Sequence, residues 1–91
     1  MTEIKFMDFY SDWCPPCKKQ MPVIKELEQE YEEIDFKKID VDEESDIAKD
    51  YGVSVIPTLV LECEEEEKDR FIGYTDKETL QNSLNEALNN C

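Results

Sequence analysis

Cys14 and Cys17 are separated by two residues in the stretch Trp13-Cys14-Pro15-Pro16-Cys17-Lys18. At that spacing two thiols can close a disulfide across one turn of backbone and reopen it. The pair follows an apolar, strand-like run, Ile4 to Tyr10, and opens a helix-like one. A C-x-x-C at a strand-to-helix junction of a small protein reads as a dithiol–disulfide redox site. Neither Pro15 nor Pro16 carries an N–H, so a Cys14 thiolate would draw amide hydrogen bonds mainly from Cys17 and Lys18. A glycine at position 15 would add a donor and favour the thiolate. Asp8 is the anomaly of the preceding strand: an aspartate inside an apolar run is rarely buried without a role.

The elements that must position these groups follow from periodicity. Ile4–Tyr10 is nearly all apolar, as in a central strand covered on both faces. From Pro15 the apolar residues fall at 17, 21, 24, 27 and 31, one face of a helix. Pro15 and Pro16 fit its first turn, and Pro22 should kink it. A second strand is expected over Asp35–Val41, a short helix over Glu43–Tyr51 with Gly52 as its stop, and a third strand at Leu59–Leu61. Glu64–Glu67 reads as a charged turn, Arg70–Ile72 as a fourth strand and Gly73-Tyr74 as a bend. Thr75 and Glu78 have capping-box spacing ahead of a last helix with Leu80, Leu84, Ala87 and Leu88 on one face. The order βαβαββα predicts an α/β domain over residues 1–91. Its first two strands should be parallel through a right-handed crossover, its last two an antiparallel hairpin.

Composition narrows the function. A chain of 91 residues makes one domain. A net charge of −14 disfavours nucleic acid as a partner, because phosphate binding needs a basic face. The acids are spread along the chain and read as a solubilising surface. No window approaches a membrane span, and no leader-like segment precedes Ile4, so a cytoplasmic location away from membranes is expected. With no histidine and one close cysteine pair, the four cysteines make a poor zinc or iron–sulfur pattern, and no metal is expected. Cys63 and Cys91 are expected to have no part in the main reaction, Cys91 lying on a fraying terminus open to adventitious intermolecular disulfides.

At this point the chain resembles the thioredoxin family. Trp13-Cys14-Pro15-Pro16-Cys17-Lys18 is similar to the family's W-C-G-P-C-K site, with proline for the usual glycine. Met7-Asp8-Phe9-Tyr10 resembles its strand with a buried aspartate, and Pro22 falls where the family's active-site helix kinks. Tyr51-Gly52-Val53 followed by Ile56-Pro57-Thr58 resembles its segment with a cis proline, and Gly73 lies at the spacing of the glycine bordering its substrate groove. With only Met1 to Glu3 before the first strand, the resemblance implies a shortened thioredoxin-like fold, a four-stranded mixed sheet flanked by three helices.

The resemblance implies a protein-disulfide reductase that needs no bound cofactor beyond a redox disulfide, Cys14–Cys17. Its partners would be disulfide-containing target proteins and an upstream reductase, and it would act as a monomer. Cys14, at the positive end of a helix, is the expected nucleophile, and Cys17 the resolving thiol. Asp8 is the expected proton acceptor for Cys17, its pKa raised by desolvation, with Lys38 tuning it. The bland reading of Asp8 is a strand-end aspartate bonded to backbone amides. Trp13, Pro15, Pro16, Ile56, Pro57 and Gly73 are expected to form the peptide groove, with Tyr10 beside it. Two other functions remain open at this stage: a thiol oxidase or isomerase, and a binding module of a larger assembly.

Overall fold

The computed structural model describes residues 3–91. The expectation that Met1 to Glu3 leave no room for an earlier strand and helix falls mostly outside them. The elements are β1 (Ile4–Tyr10), α1 (Pro15–Glu30), β2 (Asp35–Asp40), α2 (Ser45–Asp50), β3 (Thr58–Cys63), β4 (Glu66–Ile72) and α3 (Lys77–Asn90). They form one four-stranded sheet in the order β2-β1-β3-β4. β1 runs parallel to β2 and antiparallel to β3, and β3 antiparallel to β4. Among the described residues no helix is long and apolar enough to cross a membrane.

Strand alternation sorts the side chains into two cores. Ile4 and Phe6 of β1 and Leu59 and Leu61 of β3 pack with Ile24 and Leu27 of α1 and Leu80, Leu84 and Ala87 of α3. Met7, Phe9 and Val60 face the other way, with Ile39 and Ala48. The central strands are thus apolar on both faces, as their sequence demands. Asp8 takes the same parity as Ile4 and Phe6, so it points to the side of the sheet that carries α1.

Several boundaries differ from the expected ones, each for a local reason. β2 ends at Asp40, although Val41 still donates its N–H to the Tyr10 carbonyl (2.9 Å). α2 begins at Ser45 rather than Glu43, because the N–H groups of Glu43 and Glu44 close a turn onto the Asp40 carbonyl. α3 is capped by Asp76, whose Oδ1 accepts from the Thr79 N–H at 3.0 Å, and not by Thr75. Pro22 lies inside α1, as expected, and the helix runs on past it to Glu30.

β3 and β4 are longer than expected, and the turn between them shrinks to Glu64-Glu65. Both residues have positive φ (52° and 69°) between the paired Cys63 and Glu66. That is the signature of a type I′ hairpin turn, which prefers asparagine and glycine. Left-handed backbone costs a non-glycine residue about 1–2 kcal/mol, against about 0.5–1 kcal/mol of extra chain entropy lost by glycine. Glu65→Gly is therefore expected to stabilise the fold by roughly 0.5–1 kcal/mol. A urea midpoint equal to or below that of the parent would refute it.

Candidate active site

The first helical residues place both thiols. Cys14 is the N-cap of α1, with extended backbone (φ −98°, ψ 106°), and Pro15 and Pro16 fill the first two helical positions. Prolines are tolerated there because those amides lack intrahelical partners. Cys17 comes one turn later, and Cys14 and Cys17 are joined as a disulfide with their Cα atoms 5.2 Å apart. Both are buried, Cys17 more completely. The Cys17 N–H donates to Cys14 Sγ at 3.2 Å.

The expected second donor is absent from that arrangement. The Lys18 N–H goes instead to the Cys14 carbonyl oxygen (3.1 Å) as the first bond of the helix. An N-cap side chain accepts from the second or third helical amide. Here the second belongs to Pro16, so Pro16 rather than Pro15 withholds the missing bond. Pro16→Ala should supply an amide donor to the Cys14 thiolate, a charge-assisted bond worth about 1.5–3 kcal/mol. Alkylation of the reduced protein by iodoacetamide at mildly acidic pH should then speed up several-fold, and Pro15→Gly should change it less. Equal rates in parent and Pro16→Ala would sink the idea.

Asp8 lies in β1 beneath the helix, 1% exposed. Neither carboxylate oxygen has a hydrogen-bond partner among the described residues. The bland reading, an aspartate bonded to backbone amides, is therefore overturned. Burial pushes its pKa from 3.8 up to about 7, against the opposing pull of the Lys38 charge. Lys38 is the β2 residue in register with Asp8. Its ammonium is held by Glu28 at 2.8 Å, so Lys38 acts on Asp8 through its field and not as a direct ion-pair partner.

The opposite wall comes from the segment before β3. The Ile56–Pro57 peptide bond is cis. The Ile56 carbonyl oxygen stands 3.8 Å from Cys14 Sγ, which brings this backbone beside the thiols. Gly73 joins the same wall, its N–H donating to the Pro57 carbonyl at 2.8 Å. Gly73 has φ +88°, which favours glycine, and a Cβ there would meet nothing within 4 Å. The glycine thus leaves the rim open as well as permitting the turn. Trp13 is 68% exposed at the rim, its indole N–H donating to Asp42 Oδ2 at 2.9 Å. Tyr10 lines a shallow cleft of about 200 Å³ with Ser11, Cys17, Lys18 and Met21.

Six residues that contribute here were not singled out from the sequence. Asp42 orients Trp13. Gln20, fully buried in α1, makes two hydrogen bonds to the Thr75 backbone (3.0 and 2.8 Å) and so ties the Gly73-Tyr74 bend to the active-site helix. Ser11 is buried, with its hydroxyl unpartnered among the described residues. Val55, Ile72 and Tyr74 expose apolar surface next to Ile56, Thr58 and Gly73. Only Val55, two residues before Pro57, carried a local sequence signal for this.

A disulfide at a helix N-terminus, with a buried carboxyl behind it and a cis-proline wall before it, defines a small dithiol–disulfide oxidoreductase on a mixed α/β sheet. The chain belongs to the thioredoxin family, whose model, Thioredoxin, matches residues 2–86. It is 39% identical over 85 residues to a thioredoxin of Chlamydia caviae, covering 93% of this chain and 83% of that protein. It is 43% identical over 82 residues to a thioredoxin of Bacillus subtilis, covering 89% and 79%. A mutant thioredoxin from Halobacterium salinarum superposes with a TM-score of 0.88 at 35% identity, over 93% of this chain and 74% of the other. The thioredoxin NaTrxh from Nicotiana alata gives 0.88 at 38% identity, over 93% and 73%. Thioredoxins are protein-disulfide reductases that carry no cofactor beyond the redox-active disulfide. They act on disulfide-containing targets and are themselves reduced by a thioredoxin reductase.

Proposed function

We propose that Cys14 attacks a target protein's disulfide and Cys17 resolves the mixed disulfide. The Cys14 thiolate bonds to one target sulfur, and the other leaves as a thiolate. Cys17 gives its proton to Asp8 and attacks Cys14 Sγ, which closes the Cys14–Cys17 disulfide and expels the second target thiolate. Lys38 tunes Asp8 through space. The target peptide lies along the Ile56-Pro57 backbone as a short added strand, framed by Trp13, Pro15, Pro16 and Gly73. The observation that carries this reading is the helix-capping Cys14 sulfur 3.8 Å from the Ile56 carbonyl, with an unpaired Asp8 in the strand behind.

Every group the mechanism uses comes from residues 1–91, which we read as one domain working as a monomer. We read its location as cytoplasmic, a reducing compartment in which an upstream reductase can keep the Cys14–Cys17 pair reduced. Insulin reduction by dithiothreitol, followed by turbidity with and without the protein, tests the reading. Precipitation no faster than the uncatalysed rate refutes it. A reduction potential near −270 mV, the value typical of thioredoxins generally, marks a reductant, and one close to the ~−120 mV of strong oxidants would reverse the direction.

A further inference from the structure

Cys63 and Cys91 are not left over. Cys63 closes β3 with the parity of Leu59 and Leu61, so it faces the helix layer that contains α3. Cys91 caps α3, its N–H donating to the Ala87 carbonyl at 2.9 Å. The two are joined, with Cα atoms 6.0 Å apart, inside the range in which a disulfide closes without backbone movement. This corrects the expectation that Cys91 frays toward intermolecular bonds. The pair sits at the far end of the sheet from the active site: Cys63 is in register with Ile4, where β1 starts, and Thr58 with Phe9. Five residues of strand separate the two ends, about 17 Å.

The two sulfurs differ in access. Cys63 is buried, at 5% exposure. Cys91 is half-buried and opens onto a cleft of about 250 Å³ lined also by Lys68, Asp69, Ser83 and Glu86. The Lys68 ammonium is already matched by Glu66 at 2.8 Å. Asp69 and Glu86 therefore leave the cleft acidic, on a chain of net charge −14. An anionic reagent is repelled there and a cationic one attracted.

We propose that Cys63–Cys91 is a second, reversible dithiol–disulfide site, which a small cationic or uncharged disulfide closes by way of Cys91 and which then fastens α3 to the sheet. The Cys91 thiolate attacks the small disulfide RSSR, forming Cys91–S–SR and releasing one thiol RSH after protonation. Cys63 then gives up its proton and attacks Cys91 Sγ, closing the protein disulfide and releasing the second RSH. The protein loses two electrons and two protons, and RSSR gains them. The closed bond spans 28 residues of chain, so it restricts the unfolded state considerably.

The test uses the Cys14→Ser/Cys17→Ser protein, reduced and then treated with cystamine, hydroxyethyl disulfide or oxidised glutathione. Intact mass, a non-reducing gel and thermal melting are read. The expected product is a monomer lighter by two hydrogens, formed at least several-fold faster with cystamine than with oxidised glutathione. Its melting temperature should exceed that of the reduced form by on the order of 10 °C, and dithiothreitol should reverse the change. Adding Cys63→Ser should trap a cystamine adduct on Cys91, whereas adding Cys91→Ser should leave Cys63 unmodified on the same timescale. A disulfide-linked dimer, a stable adduct on both cysteines, an adduct forming first on Cys63, or a bond that dithiothreitol leaves closed in the folded protein would each overturn the proposal, as would oxidised glutathione reacting as fast as cystamine.

Discussion

Cys14→Ser should reduce insulin no faster than dithiothreitol alone, whereas Cys17→Ser should stay covalently attached to its target. The difference follows from position along one helix turn. Cys14 sits outside the helix at the N-cap, beside the Ile56 carbonyl, where a peptide lying on the Ile56-Pro57 backbone would present its sulfur. A serine there lacks a nucleophile of comparable thiolate character, so the first bond does not form. Cys17 lies inside the first turn and donates its amide to Cys14 Sγ, so it approaches the mixed disulfide from the protein side. With serine at 17 the first bond forms and the second step is missing. Non-reducing electrophoresis of Cys17→Ser with a disulfide-bonded target should show an adduct that dithiothreitol dissolves. Cys14→Ser should show none on the same timescale. If instead Cys14→Ser forms the adduct and Cys17→Ser does not, the two roles are exchanged.

What could be read from the sequence was what depends on near neighbours along the chain. The cysteine pair, the prolines at the helix start and the aspartate in an apolar strand are local patterns, and the structure keeps all of them in place. The lengths of β3 and β4 were harder to read, because Glu66 to Arg70 is a charged edge strand, exposed over Glu66–Lys68 and half-buried at Asp69 and Arg70, with no apolar alternation. Charges on a sheet edge discourage pairing with other chains, which hides the strand from any reading based on hydrophobic periodicity. The cap of α3 moved from Thr75 to Asp76 because the Thr75 backbone is taken by Gln20, 55 residues earlier. Trp13 with Asp42, Gln20 with Thr75, and Cys63 with Cys91 are tertiary pairings. Each residue type is ordinary where it stands, and only the folded chain brings the partners together.

Asp8→Asn should make the protein more stable and a poorer catalyst, and both effects should depend on pH. In the unfolded chain Asp8 ionises with the ordinary value of 3.8, and in the folded one burial raises it to about 7. Between those values the native state holds a proton that the unfolded state has released. Wild-type stability should therefore fall as pH rises from about 4 to about 7, and stay low above. A shift of roughly three pKa units corresponds to about 4 kcal/mol, an upper bound on what ionised Asp8 costs the fold. Asparagine carries no charge to desolvate but buries an amide in the same unpaired site. The net gain at mildly alkaline pH should be roughly 2–4 kcal/mol, vanishing below pH ~4. Denaturant unfolding of both oxidised proteins across this range measures the difference. A gap that is constant with pH would mean that Asp8 does not titrate where its burial puts it. Catalysis should move in the opposite sense. Only ionised Asp8 can take the Cys17 proton, so wild-type release of the target should quicken as pH passes about 7. Asp8→Asn should lose that step and accumulate the mixed disulfide, with its initial attack by Cys14 little changed. Stabilisation without slower release would leave Asp8 a buried charge with no part in the proton transfer. Slower release together with the pH-dependent gain in stability is what a base kept at the cost of stability requires.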